Sequence, residues 1–235
     1  MGVLVNVVVV PKNSGLKGYA WKVLQEAGFD LERAEKVRDN SLVVDGIEVL
    51  LRRGEDIPLI VEEEKEAGRF AVGVTGDDLF DEYRLRNPGN NLMLVNTYDW
   101  DDAVAEFRRP ALCLMSIGAF ADPSEIKIGI PSKYEYTARS FIRDSPLFEG
   151  YWVQVKCYNG DVEDALERGY VRLAIDTVYS GKSRRQAGLE IVERIRASDL
   201  AVIAPKNGAS LLEKMASGIP RGPIIDRRQI SELLS

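Results

Sequence analysis

The chain has 235 residues, 45% of them hydrophobic and 29% charged, with a net charge of −6. These values suit one large α/β domain or two lobes of roughly 100 residues each, and the negative balance argues against a general nucleic-acid binder or a polybasic membrane binder. There is no histidine, which excludes histidine triads, general bases and metal ligands and leaves the chemistry to carboxylates, Lys, Arg, Tyr, Ser/Thr, backbone N–H groups or a hard metal.

Val3 to Val10 is a continuous apolar run, as expected of a buried strand in a parallel sheet. It is too short to span a membrane and has no basic flank, so a cytoplasmic protein is expected. Pro11 ends the strand. Lys12, Asn13, Ser14 and Gly15 follow at its carboxyl end, where open α/β sheets bind ligands; an ordinary βα turn explains them equally well. A helix is expected over Lys17–Ala27, closed by Gly28. Asn40–Leu51 reads as one or two strands with a hairpin signal at Asp45-Gly46. Asp56 and Pro58 then introduce a helix over Leu59–Ala67. Phe70–Val74 is a further strand, ending in an expected loop, Thr75-Gly76-Asp77-Asp78. Its acids suit a metal, ribose hydroxyls or the start of the next helix.

Leu92–Asn96, Ala111–Met115, Ile126–Ile130 and Trp152–Val155 read as strands, with a crossing between lobes at Tyr98–Asp102. Pro131-Ser132-Lys133-Tyr134 is another polar strand end, before a helix at Thr137–Ile142. Asn159, Gly160 and Asp161 open a helix over Val162–Arg168, with Asp161 and Glu163 favourably near its N-terminus. Cys113 and Cys157 are expected to be buried free thiols.

The most informative stretch is Leu173–Leu189, LAIDTVYSGKSRRQAGL. An apolar strand ends in Asp176, and a compact polar loop runs from Thr177 to Ser183. Leu189, Ile191, Val192 and Ile195 then fall at helical spacing. Strand, loop and helix would present backbone N–H groups to an anion, with Gly181 permitting close approach, Ser180 and Ser183 supplying hydroxyls and Lys182 a charge. DTVYSGKS imitates a Walker A loop, but Asp176 stands where that motif needs its first glycine, so a P-loop NTPase is not expected. Leu200–Ala204 is a last strand, followed by helices at Leu211–Ala216 and after Pro223. Alternating strands and helices give a two-lobed α/β protein with parallel-rich sheets.

Several of these segments together resemble the ATP phosphoribosyltransferase family. GEDIPLIVEE (54–63) followed by VGVTGDD (72–78) is similar to its D-I-P-x-x-V-E-E … L-G-I-x-G-x-D stretch. VVVPKNSGL (8–16), IGIPSKY (128–134) and YNGDVEDALERG (158–169) match its P-K-G-R-type loop, R-I-A-T-x-Y and N-G-S-V-E-x-A-P-x-x-G segments in order. IDTVYSGKSRRQAGLEI (175–191) resembles D-x-V-S-T-G-x-T-L-x-x-N-G-L, the family's loop for the 5-phosphate of phosphoribosyl pyrophosphate. The chain departs from these patterns at Leu16, Arg172, Tyr179 and Ala187.

The resemblance implies a periplasmic-binding-protein-like (type II) fold with a cleft between its lobes, lobe I being residues 1–98 plus 186–235 and lobe II residues 99–185. It implies transfer of the 5-phosphoribosyl group to N1 of ATP with release of pyrophosphate, the first step of histidine biosynthesis, with Mg2+. Asp176 and Lys12 would be catalytic. Thr177, Tyr179, Ser180, Gly181, Lys182 and Ser183 would hold the phosphate. Asn13, Ser14, Gly76, Asp77, Asp78, Ser132, Asn159, Gly160 and Glu163 would line the substrate cleft. A homo-oligomer, dimer or larger, is expected, working with a separate histidyl-tRNA-synthetase-like regulatory subunit. The second reading is a binding protein of the same fold for a phosphorylated or anionic metabolite.

Overall fold

The computed structural model describes residues 6–12, 14–26, 40–44, 46–118, 125–160 and 162–206. Asn13, Gly28, Asp45, Asp161, the side chain of Ser14 and the two helices expected after Leu211 lie outside the described residues. The chain divides into two compact units, Met1–Asp99 with Asp199–Ser235, and Trp100–Ser198.

In the first unit, β1 (Val7–Pro11) is buried along its whole length, as a continuous apolar run between parallel neighbours must be. Those neighbours are β3 (Ile47–Arg52) and β4 (Ala71–Gly76). β2 (Ser41–Val44) pairs antiparallel with β3, and Gly46 between them has a φ of 83°, in the left-handed region a tight hairpin favours. β11 (Leu200–Pro205) runs antiparallel between β4 and β5 (Leu92–Tyr98), giving the order β2-β3-β1-β4-β11-β5. The helices are α1 (Ser14–Glu26), α2 (Ile57–Glu66) and α3 (Asp77–Arg86). Ile57 and Val61 of α2 are fully buried with Val7, Val9, Phe80 and Ile203, and each such side chain removed from water stabilises the fold by about 1.5–3 kcal/mol. Gly73 lets α2 sit this close to β4: a Cβ there would come within 2.7 Å of Ile57 Cγ2 and 2.9 Å of Val61 Cγ2.

The second unit holds β6 (Ala111–Ser116), β7 (Glu125–Pro131), β8 (Trp152–Tyr158), β9 (Leu173–Val178) and β10 (Glu190–Ala197), in the order β10-β6-β9-β7-β8. α4 (Glu135–Asp144), α5 (Val162–Glu167) and α6 (Lys182–Gln186) accompany them. β7, β8 and β9 are parallel; β6 runs antiparallel to β9, and β10 antiparallel to β6, in the direction of the other three. Leaving β2 aside, both sheets follow one plan, β3-β1-β4-β11-β5 and β8-β7-β9-β6-β10. Three parallel strands are joined by a fourth that runs antiparallel to its neighbour among them, β11 in the first unit and β6 in the second, each the first strand after the chain passes from one unit to the other.

Several expectations are corrected. Residues 75–78 are not a loop. Thr75 and Gly76 belong to β4, held by pairing with Ala201 and Leu200, and Asp77 already begins α3. The N-cap is Gly76, and both acids lie in the first turn, where Asp78 Oδ1 accepts the Leu79 N–H at 2.9 Å. Asp56 occupies the N-cap position of α2, also without a side-chain bond. The apolar residues 189–195 do not form a helix. Gly188 turns the chain at φ 66°, and residues 190–197 form β10, with register shifts between Ile191 and Glu193 and between Arg194 and Arg196. Such bulges break the two-residue period of a strand, and here they leave the apolar residues at a helix-like spacing. Because β10 pairs with β6, the chain returns to the first unit at Asp199 instead of near residue 186. Cys113 is buried, but Cys157 is exposed on the edge strand β8. No described helix is long and apolar enough to cross a membrane.

Candidate active site

The carboxyl ends of the parallel strands are where an α/β sheet gathers ligand-binding groups. In the second unit this end is built from three consecutive strand–helix connections. β9 carries Asp176 and Thr177 immediately before its last residue, Val178. The Thr177 N–H donates to Asp176 Oδ1 at 2.7 Å, which fixes the carboxylate. Thr177 Oγ1 is buried and has no hydrogen-bond partner among the described residues, a situation that a bound polar group would relieve. From α5, Glu163 accepts a long bond of 3.4 Å from the Ser183 hydroxyl. Burial, and then the Asp176 charge, push the Glu163 carboxyl above the usual glutamate range, against the pull of Ser183. Burial likewise pushes Asp176 up, opposed by the Thr177 N–H and by the charge of Lys133 at the end of β7. Two acids that feel each other's charge thus share a partly dehydrated place, with a lysine charge acting on one of them, the setting in which carboxylates are tuned for chemistry.

Beyond Val178 the chain turns through Tyr179, Ser180 and Gly181 into α6. Gly181 is left-handed, with φ 65° and ψ 10°. Ser180 Oγ accepts a 3.4 Å bond from the Lys182 N–H, and the Lys182 side chain is exposed. Tyr179 does not fill the loop. Its ring lies 6.2 Å from that of Trp100, and its hydroxyl bonds to Asp102. Glu106, on the same 100–109 segment, accepts from Arg184 Nη2 at 2.6 Å and Arg185 Nη1 at 3.1 Å.

The other expected residues of this unit have different settings. Ser132 donates its hydroxyl to the Tyr158 carbonyl at 3.0 Å and ties β7 to β8. Asn159 and Gly160 are exposed in the connection after β8, with Gly160 at φ 130°.

In the first unit, the ends of β1 and β3 frame an open pocket of about 230 Å³ lined by Lys12, Asn40, Leu51, Arg52, Arg53 and Asp56. Arg52 is fixed by donating Nη1 to the carbonyls of Asn40 and Leu51 at 2.8 and 2.9 Å. Three cations against one acid make this a place for a polyphosphate. Lys12 was expected here. Arg52 and Arg53 were not singled out, although two arginines closing an apolar strand are a readable signal. Asp77 and Gly76 lie apart from this pocket's lining. Asp77 Oδ1 accepts the Asp199 N–H at 2.8 Å and its own N–H donates to the Asp199 carbonyl, which anchors the start of β11. Asp78 is buried, with Oδ1 accepting the Leu79 N–H.

Among the described residues no group of three or more Cys, Asp or Glu is close enough to hold a metal ion. Mg2+ is ordinarily held by one or two carboxylates together with substrate phosphates. The Asp176–Glu163 pair is compatible with a cation that arrives on a phosphorylated substrate.

The family described as HisG, ATP phosphoribosyltransferase, matches residues 53–220. An ATP phosphoribosyltransferase of Streptomyces avermitilis is 26% identical over 212 residues, covering 90% of this chain and 68% of that protein. The chain covers 63% of its Streptomyces coelicolor counterpart. Among solved structures, the ATP phosphoribosyl transferase (HisG:HisZ) complex from Thermotoga maritima shares the fold, with a TM-score of 0.65 at 17% identity over 91% of this chain and 98% of that one. An alkanesulfonate-binding protein from Xanthomonas axonopodis pv. citri shares it more distantly, with a TM-score of 0.53 at 8% identity over 92% of this chain and 71% of that one. The two-lobed type II fold is therefore established, and by the family match, which spans well over half of its length, the chain belongs to the ATP phosphoribosyltransferase family.

Proposed function

We propose that this protein transfers the 5-phosphoribosyl group of phosphoribosyl pyrophosphate to N1 of ATP, releasing pyrophosphate, as the first step of histidine biosynthesis. The observation that carries the reading is the cluster at the end of β9. Asp176, Thr177, Glu163 and the Ser180–Ser183 turn stand together in the second unit, on the segment most similar to the family's phosphate loop.

Loss of pyrophosphate leaves positive charge on the ribose ring. A fixed carboxylate in a dehydrated site stabilises such charge without reorganising. Asp176 takes this role, held by the Thr177 N–H. The unpartnered Thr177 hydroxyl and the Glu163 carboxyl suit ribose hydroxyls, and Ser180, Gly181, Lys182 and Ser183 suit the 5-phosphate. In the first unit, Lys12, Arg52 and Arg53 suit the pyrophosphate or the ATP phosphates. Bound Mg2+ would neutralise phosphate charge, with Asp176 and Glu163 the carboxylates nearest to hand. Holding two substrates in line supplies a large part of the rate for such a transfer. A histidyl-tRNA-synthetase-like subunit, a homo-oligomeric state and a cytoplasmic setting belong to the same reading. The Thermotoga maritima relative is itself described as a two-component complex.

Ser180→Glu tests the loop. A carboxylate placed there repels the 5-phosphate, and calorimetry is expected to show phosphoribosyl pyrophosphate affinity reduced on the order of tenfold or more, with ATP affinity unchanged. A variant that binds phosphoribosyl pyrophosphate as well as the native protein would remove the loop from the site.

A further inference from the structure

The 100–109 segment has no counterpart among the motifs read from the sequence, yet it is bonded to the phosphate loop and the helix that follows it at several points. It is braced by its own bonds. The Asp102 N–H donates to the Arg108 carbonyl at 2.6 Å, the Ala105 N–H to the Asp102 carbonyl at 3.1 Å, and the Arg108 guanidinium holds Asp101 with two bonds of 2.9 Å. Trp100 and Ala105 are buried. A strap made in this way can hold another segment in place.

It does so through Glu106. The Glu106 N–H donates to the Tyr179 carbonyl at 2.7 Å. The Glu106 carboxylate binds Arg185 Nη1, and Arg185 Nη2 donates to the Ser180 carbonyl at 2.7 Å. Two successive carbonyls of the loop are therefore turned toward Glu106, one directly and one through Arg185. In a planar trans peptide the carbonyl and the following N–H point in opposite directions. Fixing the carbonyls of Tyr179 and Ser180 on the strap side thus aims the N–H groups of Ser180 and Gly181 to the other side. Successive N–H groups presented together form an anion-binding nest. Arg184 completes the arrangement, bonded to Glu106 and to the Leu189 carbonyl at 2.7 Å. Tyr179 and Arg184 stand where the family pattern has Ser and Leu, and both grip the strap.

We propose that Glu106 is a positioning residue for phosphoribosyl pyrophosphate: it orients the Ser180 and Gly181 N–H groups of the phosphate loop through Arg185 and its own backbone. The proposal rests on the reading of this loop as the 5-phosphate site. It also assigns the Glu106 charge a supporting role. A carboxylate that merely occupied the phosphate's place would have the opposite effect on affinity.

The test is calorimetry with phosphoribosyl pyrophosphate, ribose 5-phosphate and ATP on the full chain carrying Glu106→Gln, Arg185→Met or both. Arg185 is exposed, so its variant leaves the core untouched should the Glu106 change impair folding. Each single variant is expected to weaken both ribose phosphates on the order of tenfold, the worth of one hydrogen bond to a charged group, and to leave ATP unchanged. The double variant is expected to be no weaker than the singles, as residues acting in one chain require. Unchanged or tighter ribose phosphate binding in both singles overturns the proposal, as do losses that add in the double variant or that affect ATP equally. A native protein that binds no phosphoribosyl pyrophosphate overturns the underlying reading of the loop, a result distinct from any of these.

Discussion

Asp176→Asn is expected to lower kcat/KM for phosphoribosyl pyrophosphate on the order of 10²-fold, the usual cost of removing one preorganised electrostatic partner of a transition state, and to make the protein more stable at neutral pH. The two effects share one cause. Burial raises the Asp176 carboxyl above the ordinary aspartate range, so between the ordinary and the raised value the folded protein binds more protons than the unfolded chain. Stability therefore falls as pH rises through that window and stays at the lower level above it. Asparagine carries no charge at any pH and can still accept the Thr177 N–H. The variant's advantage in Tm over the native protein should thus be present at pH 7 and vanish below the ordinary aspartate range. Glu163 loses a charged neighbour in the variant, so its carboxyl is expected to move back toward its ordinary value. Melting curves at acid and neutral pH, beside steady-state kinetics, check all of this. A Tm that falls at pH 7, or activity that survives, would show that Asp176 is an ordinary structural acid.

Gly181→Ala is expected to weaken phosphoribosyl pyrophosphate binding on the order of 30-fold or more. The φ of 65° is left-handed, and an L-residue there costs about 1–2 kcal/mol. A Cβ would also collide with Glu106 Oε2 and stand 2.7 Å from Arg185 Nη1. The loop or the ion pair must move, and either movement turns the peptide planes that face the phosphate. Gly89→Ala is the control, since nothing lies within 4 Å of a Cβ there; it should bind like the native protein. Equal affinity in both variants would show that the backbone at Gly181 has no part in holding the ligand.

Much of the fold is legible in the sequence because burial leaves simple marks. β1, four valines ending in Pro11, is buried on both faces and reads as an unbroken run. Asp45-Gly46 announces the β2–β3 hairpin, and Pro58 the start of α2. β10 was not legible, because its two bulges give a strand a helix-like spacing. Thr75 and Gly76 read as a loop because their pairing partners, Ala201 and Leu200, lie far along the chain in β11.

The site divides in the same way. Asp176, Thr177, Ser180, Gly181, Ser183 and Glu163 are neighbours in sequence or lie one strand–helix step apart, and the structure brings them together. Glu106 could not be found, since it reaches Arg184 and Arg185 across 78 and 79 residues with no motif to mark it. Tyr179 stands in the sequence only as a departure from the family's loop pattern. Only the contact with Trp100 and Asp102 explains how the loop accommodates it.

The central claim is tested most directly by pyrophosphate release with ATP, phosphoribosyl pyrophosphate and Mg2+, measured with and without a histidyl-tRNA-synthetase-like subunit. Release that requires both substrates in at least one of these conditions is the predicted result. No release in either condition would contradict the enzyme, and phosphoribosyl pyrophosphate binding without turnover would identify instead a binding protein on the same fold.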